Sequence, residues 1–230
     1  MLILALDSST DVVTAAVARA EERAGREVLA EISAPSRSAS ETLLPAAHGA
    51  LDLAGKELDE VERILVGVGP GTFTGIRIAL AAARSLALAT GAALSKNPTL
   101  TALAAPALLA AEEPNVLAVL DAKRRQVFAQ RFTGEGARGG ILGVTPEELA
   151  ARLPAGDASF VVGDGAARYR EMLSSLGYLP PDASPLHRVT AVGHMLSADL
   201  SPVPAREVVP LYVRKPDAEA RRDLNPWSKA

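Results

Sequence analysis

Apolar and polar residues alternate in blocks along the first part of the chain. Residues 2–6 are a continuous apolar run, which is typical of a strand buried on both faces. A polar turn follows at 7–11, and the apolar pattern resumes at 12–18. This arrangement predicts a β-hairpin, and a third strand is predicted at 28–33 after a second polar turn.

The same pattern begins again near the middle of the chain. Residues 116–121 are an apolar run that ends in Leu-Asp, as residues 2–7 do, and a polar turn leads to a second apolar run at 127–132. Asp7 and Asp121 therefore occupy equivalent places. We interpret this as an internal duplication, with two lobes that each open with the same hairpin.

Apolar residues at helical spacing predict a helix over residues 38–55. Ser38 and Glu41 match the capping-box pattern at its start. Pro45 lies within this stretch, so that it either kinks the helix or belongs to its first turn. A strand is predicted at 63–68.

The remaining elements continue the alternation of strands and helices. Further helices are predicted at 74–89, 99–111, 145–153, 166–177 and 190–200. The mixture predicts an α/β protein. We place its two lobes at 1–97 and 98–205, followed by a segment, 206–230, that is expected to pack back on the protein and then to become disordered.

Composition narrows the functional classes. The chain has 230 residues, 48% of them hydrophobic, and it contains no cysteine, which excludes disulfides and thiolate chemistry. No apolar run approaches the ~20 residues of a membrane span, so a cytoplasmic protein is expected. The net charge of −3 and the short basic run 123–125 argue against a protein that grips nucleic acid by itself.

The glycine-rich loop VGPGTFTGIRIAL, residues 68–80, follows a strand and precedes a helix, as phosphate-binding loops do. Its spacing matches neither the Walker pattern nor the dinucleotide fingerprint. We favour a structural role. Gly71 would supply a turn with positive φ, Thr72 or Thr74 would cap the helix, and Gly75 would allow close packing.

Two further places are candidates for binding a nucleotide. A carboxylate at the end of a strand can hold hydrated magnesium, so Asp7 with the neighbouring Ser8 is one candidate. Asp7 could equally form an Asx turn in the hairpin, and the two readings stay open. The strand-to-helix turn of Gly163 and Gly165 is the other candidate, although an ordinary tight turn is favoured there.

Other chemistry is poorly represented. The chain has three histidines, and no two of them have the i, i+4 spacing of a helical zinc site. Arg77 and Arg84 share one helix face and are expected to bridge to acidic neighbours rather than to phosphate. The apolar stripe of the helix at 38–55 is interpreted as core, with a subunit interface as the alternative.

Several motifs together resemble a known family. They are LALDSST near the N-terminus, SETLLP at 40–45, VGPGTFTGIRIAL at 68–80, RSLAL at 84–88 and PLYVRKPDAE at 210–219. They resemble the TsaB (YeaZ) family, and they follow the family's order from residue 1 to about 219. The resemblance implies a two-lobed, actin-like fold of mixed sheets flanked by helices, related to sugar kinases and Hsp70 ATPases.

The resemblance also implies a function. TsaB-like proteins are non-catalytic partners of the TsaD-type transferase, which makes threonylcarbamoyladenosine on tRNA together with the small ATPase TsaE. It implies no catalytic or metal residue in this chain, and ATP and magnesium that belong to the complex. Binding of tRNA would occur through the complex, and the isolated chain would form a homodimer. Ala39 stands where family members usually carry a histidine.

The family's partner interface would lie on the helix at 38–55. Its implied contact residues are Leu43, Leu44, Ala47, His48 and Leu51. The main alternative function is a free-standing ATP-dependent kinase or ATPase of the same fold, which would need Asp7 and the Gly163 turn to form a working cleft. A metallopeptidase is a third idea, against which the missing histidine pair speaks.

Overall fold

The protein was analysed as a computed structural model, which describes residues 1–21, 25–35, 38–110, 112 and 114–213. The expected disorder of the C-terminal end lies outside these residues.

The first sheet has five strands in the order β3-β2-β1-β4-β5. They are β1 (Leu2–Asp7), β2 (Val12–Glu21), β3 (Gly25–Pro35), β4 (Arg63–Gly67) and β5 (Ala93–Asn97). The first three strands are antiparallel neighbours, whereas β4 and β5 run parallel to β1. All six residues of β1 are buried, as its continuous apolar run predicted.

The second sheet repeats this design. Its strands are β6 (Asn115–Asp121), β7 (Val127–Thr133), β8 (Gly136–Val144), β9 (Ala158–Val162) and β10 (Gly177–Tyr178). The order β8-β7-β6-β9-β10 matches the first sheet strand for strand, with the same parallel and antiparallel pairs. Asp7 and Asp121 end the equivalent strands β1 and β6, so the predicted duplication is confirmed.

Helices flank both sheets. The first-lobe helices are α1 (Ala39–Ala54) and α2 (Phe73–Thr90). They are followed by α3 (Thr99–Leu108), α4 (Pro146–Arg152), α5 (Asp164–Arg168), α6 (Arg170–Leu173) and α7 (Ala191–Ser197). Helix α7 packs against α3 and also against the first sheet, where Ala191 and Met195 join the apolar cluster behind β1 and β4.

Some sequence expectations need correction. Helix α1 runs through Pro45, and Ser38 stands at its N-cap without a side-chain cap hydrogen bond, so the predicted capping box is absent. The helix predicted at 166–177 divides at Tyr169 into α5, α6 and a short 3₁₀ turn. The glycine-rich strand β8 was not predicted, because its sequence lacks the alternation of a half-buried strand.

Helix α2 is long and apolar enough to cross a membrane by length and composition alone, a test that core helices of globular proteins also pass. Its buried residues Ile76, Ala79, Leu80 and Ala83 recur at helical spacing and pack in the core of the first lobe.

Candidate functional site

The carboxylate of Asp7 lies at the centre of a buried polar network. The Asp7 side chain is fully buried, and its Oδ1 accepts hydrogen bonds from Ser9 N at 2.6 Å and Ser9 Oγ at 2.7 Å. Its Oδ2 lies 2.9 Å from Nε2 of His194 and 3.4 Å from Oγ1 of Thr99. Both carboxylate oxygens are therefore occupied by the protein's own donors.

The ring of His194 connects this carboxylate to β5. The amide nitrogen of Asn97 lies 3.3 Å from Nδ1 of His194 and donates a second bond to Ser197 Oγ at 2.8 Å. A carboxylate can only accept, so Nε2 of His194 donates to Asp7, and the ring is held between this carboxylate and the Asn97 amide. The network thus joins the ends of β1 and β5 to α7.

Protonation of Asp7 is disfavoured in this setting. Burial by itself raises the pKa of the Asp7 carboxyl, but the hydrogen bond and charge of His194 and the bonds from Ser9 outweigh it. The pKa of Asp7 is consequently lowered from its ordinary value, and the network contains a buried carboxylate with partners on both oxygens.

These contacts decide between the two readings of Asp7. The bond from Ser9 N to Oδ1 is an Asx turn, so that reading is confirmed. The other reading, a carboxylate that holds hydrated magnesium, meets a side chain with no solvent exposure. Ser8 is also buried, and its hydroxyl donates to the carbonyl of Gly75 at 2.8 Å.

The glycines of the loop at 68–80 permit close approach. A Cβ on Gly75 would stand 1.9 Å from the carbonyl oxygen of Ser8, and one on Gly71 would stand 2.1 Å from that of Ser9. Thr72 N donates to the same Ser9 carbonyl at 2.7 Å. This amide is therefore already bonded within the protein, and the structural interpretation of the loop is confirmed.

Two details of that interpretation are corrected. The positive φ belongs to Gly69, at 97°, rather than to Gly71. Thr72 occupies the N-cap of α2 but makes no side-chain cap hydrogen bond, so the expected hydroxyl cap is absent.

The equivalent hairpin of the second lobe has a similar turn. Asp121 Oδ1 accepts from Lys123 N at 2.9 Å, and Asp164 Oδ1 accepts from Asp121 N at 2.9 Å. Gly163 has φ 112°, and a Cβ there would stand 2.0 Å from the carbonyl oxygen of Val119. A Cβ on Gly165 would come 2.8 Å from the backbone of β6. The tight-turn reading of Gly163 and Gly165 is therefore confirmed.

Asp164 differs from Asp7 in its electrostatics. Burial raises the pKa of Asp164 to about 6, and the nearby charge of Asp121 adds to the rise, while bonds from the Asp121 and Gly165 backbone and the charge of Lys123 oppose it. Asp164 is the one titratable group among the described residues whose pKa shift is both large and upward.

A salt bridge crosses the cleft between the two hairpins. Nζ of Lys123, in the second lobe, lies 2.7 Å from Oδ2 of Asp11, in the first. The space enclosed beside this pair, between the turns after β1 and β6, measures only about 10 Å³. That volume holds about one water molecule.

A larger pocket of about 270 Å³ adjoins this small cavity and shares Asp11 and Asp164 with it. Its lining includes Asp11, Asp164, Asp182, His187 and Arg188. In the part of the chain that the structure describes, no three or more His, Cys, Asp or Glu side chains form a group able to hold a metal ion.

The predicted interface residues of α1 divide between two faces. Leu43, Ala47 and Leu51 are 1%, 4% and 5% exposed and pack in the first-lobe core, so the core reading holds for them and their assignment to an interface is corrected. Leu44 is 50% exposed, and His48 is exposed with its Nδ1 3.0 Å from Oδ2 of Asp52.

Arg77 and Arg84 both hold the C-terminal segment instead of bridging to acidic neighbours. Arg77 Nε donates to the Tyr212 hydroxyl at 2.9 Å, and its guanidinium lies over the ring of Phe73. The Phe73 and Tyr212 rings stack at 5.2 Å. Arg84 donates to the carbonyl of Val208 at 2.6 Å. Val208 and Tyr212 thus pack on the first lobe, whereas Val213 joins the apolar cluster of the second lobe.

Sequence reasoning missed His194, Asn97 and Thr99. His194 follows Asp7 by 187 positions and stands alone on a predicted helix. No spacing rule links it to a strand end, so only the packing of α7 against the first sheet brings the two side chains together.

The duplicated sheets and the paired hairpins at their centre define the class of protein: a two-lobed, actin-like α/β fold. Comparison with known proteins narrows this class. Residues 28–149, more than half of the chain, match the family model described as TsaD: tRNA N6-adenosine threonylcarbamoyltransferase.

Individual relatives make the family specific. A Haemophilus influenzae protein named tRNA threonylcarbamoyladenosine biosynthesis protein TsaB is 27% identical and aligns over 93% of this chain and 94% of its own length. An uncharacterised Mycobacterium tuberculosis protein is 32% identical and aligns over 94% of this chain and 93% of its own length. The solved structure of YeaZ from Pseudomonas aeruginosa superposes on this chain with a TM-score of 0.73 at 26% sequence identity. The superposition covers 92% of this chain and 99% of the YeaZ chain. The chain belongs to the TsaB (YeaZ) family.

Proposed function

We propose that this protein takes part in the biosynthesis of threonylcarbamoyladenosine on tRNA as a non-catalytic subunit that activates a TsaD-type transferase. Family membership supports the pathway, since the named relatives carry it in their names. The observation that carries the non-catalytic role is the burial of Asp7 at the centre of the fold. Its side chain has no solvent exposure, and both of its carboxylate oxygens are bonded within the protein.

The surface proposed for the partner lies on α1 and α2. Helix α2 is rich in apolar residues although it carries Arg77 and Arg84, and only 28% of it is buried within the chain. Leu88 is 88% exposed on α2, and Leu44 is 50% exposed on α1. Because a monomeric protein rarely leaves such a face uncovered, we infer that the corresponding helices of the TsaD-type subunit cover it. Without that subunit, we expect the same face to pair with a second copy of the chain.

The proposal is tested in two stages. The chain is first combined with a TsaD-type transferase, a TsaE-type ATPase, threonylcarbamoyl-AMP, ATP and unmodified tRNA, and the modified nucleoside is measured by mass spectrometry. We expect modification to depend on the chain. Equal modification in its absence would refute the activating role, whatever the chain binds.

The second stage locates the interface. Leu44→Asp places a charge on the proposed face and is expected to weaken binding to the transferase at least tenfold, as loss of a contact worth about 2 kcal/mol would. The matched control is Leu109→Asp, since Leu109 is 73% exposed at the end of α3, away from this face. Equal binding by the two variants would move the interface elsewhere.

A further inference from the structure

The turn between β6 and β7 has an unusual backbone. Lys123, Arg124 and Arg125 all have positive φ, at 59°, 52° and 58°. Side chains other than glycine, asparagine and aspartate rarely adopt this region, and each such residue costs about 1 kcal/mol or more. We therefore ask which contacts of the turn stabilise three consecutive residues with positive φ.

The turn makes ordinary backbone contacts, among them a bond from Ala122 N to the Gln126 carbonyl at 2.9 Å. Lys123 N donates to Asp121 Oδ1 at 2.9 Å, and Gln126 N donates to the Lys123 carbonyl at 3.0 Å. Such bonds form in ordinary turns without left-handed side chains. The feature particular to this turn is the direction it gives to Lys123, whose ammonium crosses to the other lobe.

That ammonium lies among carboxylates from both lobes. Nζ is 2.7 Å from Oδ2 of Asp11, in the turn after β1, and 3.5 Å from Oδ2 of Asp121, at the end of β6. Asp164 lines the same small cavity, and Arg168 contacts Asp121 from the side of α5 at 3.8 Å. The bond to Asp11 raises the pKa of Lys123, against the opposing effect of burial.

We propose that Lys123 is a built-in cation that joins the turn after β1 to the turn after β6 and holds the two lobes closed at the mouth of the cleft. The ammonium occupies space between the hairpins and neutralises carboxylates that would otherwise repel one another across it. We call this contact between Lys123 and Asp11 the latch, and its strength depends on charge. Because Lys123 and Asp11 are about half and more than half exposed, dissolved salt screens it.

The chain contains no cysteine, which makes the lobes easy to label. Spin labels are attached to cysteines placed at Asp59, exposed in the first lobe, and Ala155, exposed in the second. Labelled protein is diluted with unlabelled protein, so that electron–electron resonance reports only distances within one chain. The label-to-label distance distribution is then recorded for the parent chain and for Lys123→Met and Asp11→Asn.

We expect both variants to give a broader distribution with a longer mean distance, and high salt to move the parent distribution toward that of the variants. The amide hydrogens of residues 8–12 should exchange with solvent faster in the variants, by up to about fivefold. Loss of one exposed ion pair would produce a change of this size. Lys56→Met is the matched control, because Lys56 pairs with Glu60 at the same 2.7 Å but wholly within the first lobe.

Two outcomes would overturn the latch. One is a distance distribution that is the same in Lys123→Met, Asp11→Asn and the parent chain. The other is an equal broadening in Lys56→Met. Asp11→Asn removes the negative charge that faces Lys123 and leaves the turn at 123–125 intact, so it decides the question even if Lys123→Met folds poorly.

Discussion

Asp164 is expected to destabilise the protein at neutral pH. Its pKa rises from 3.8 in an unfolded chain to about 6 in the fold. At about 1.4 kcal/mol per pKa unit, ionisation of the buried carboxyl costs the fold about 3 kcal/mol. The stability that the protonated Asp164 carboxyl contributes to the fold is fully present below pH 3.8 and is lost as the pH rises through about 6.

The substitution Asp164→Asn removes this ionisation and keeps an oxygen that can accept from Asp121 N. The free energy of unfolding is measured in urea at pH 4 and at pH 7.5 for the parent chain and the variant. The difference between them should favour the variant by about 2 kcal/mol more at pH 7.5 than at pH 4. Subtracting the parent also removes the opposite contribution of Asp7, whose lowered pKa gives stability that is lost as the pH falls.

The exposed Asp59 provides the control, because Asp59→Asn should change stability equally at both pH values. A variant difference at Asp164 that does not change between pH 4 and pH 7.5 would refute the reasoning. It would mean that Asp164 is not forced to ionise in a buried setting.

Two further substitutions test the site. His194→Gln removes the partner of the buried Asp7 and should lower the free energy of unfolding by about 3–5 kcal/mol, whereas His48→Gln, at an exposed pair, should change it by under about 1 kcal/mol. Similar losses in urea unfolding would contradict the central role of the network. Gly75→Ala places a methyl group 1.9 Å from a carbonyl oxygen and should cost about 1–3 kcal/mol or more, while Gly134→Ala, with open space around it, should cost much less. A harmless Gly75→Ala would show that α2 can shift without loss.

Much of the fold could be predicted from local pattern. The hairpins begin with continuous apolar runs at 2–6 and 116–121, and a strand buried on both faces leaves this clear signature in the sequence. Gly91 ends α2 with φ 77°, because a left-handed C-cap favours glycine wherever it occurs. Strand β8 was not predicted from the sequence, because an edge strand can contain glycine and exposed residues and then lacks a clear pattern.

The centre of the molecule was less predictable. The sequence alone determined the duplicated α/β design, the equivalent positions of Asp7 and Asp121, and a glycine loop unsuited to phosphate, since each depends on neighbours along the chain. Only the tertiary structure decided that His194 pairs with the buried carboxylate of Asp7 and that Lys123 contacts Asp11. It also decided that Leu43 faces the core while Leu44 faces outward. Those outcomes depend on how distant segments pack, and burial sets both the cost of a charge and the surface left for a partner.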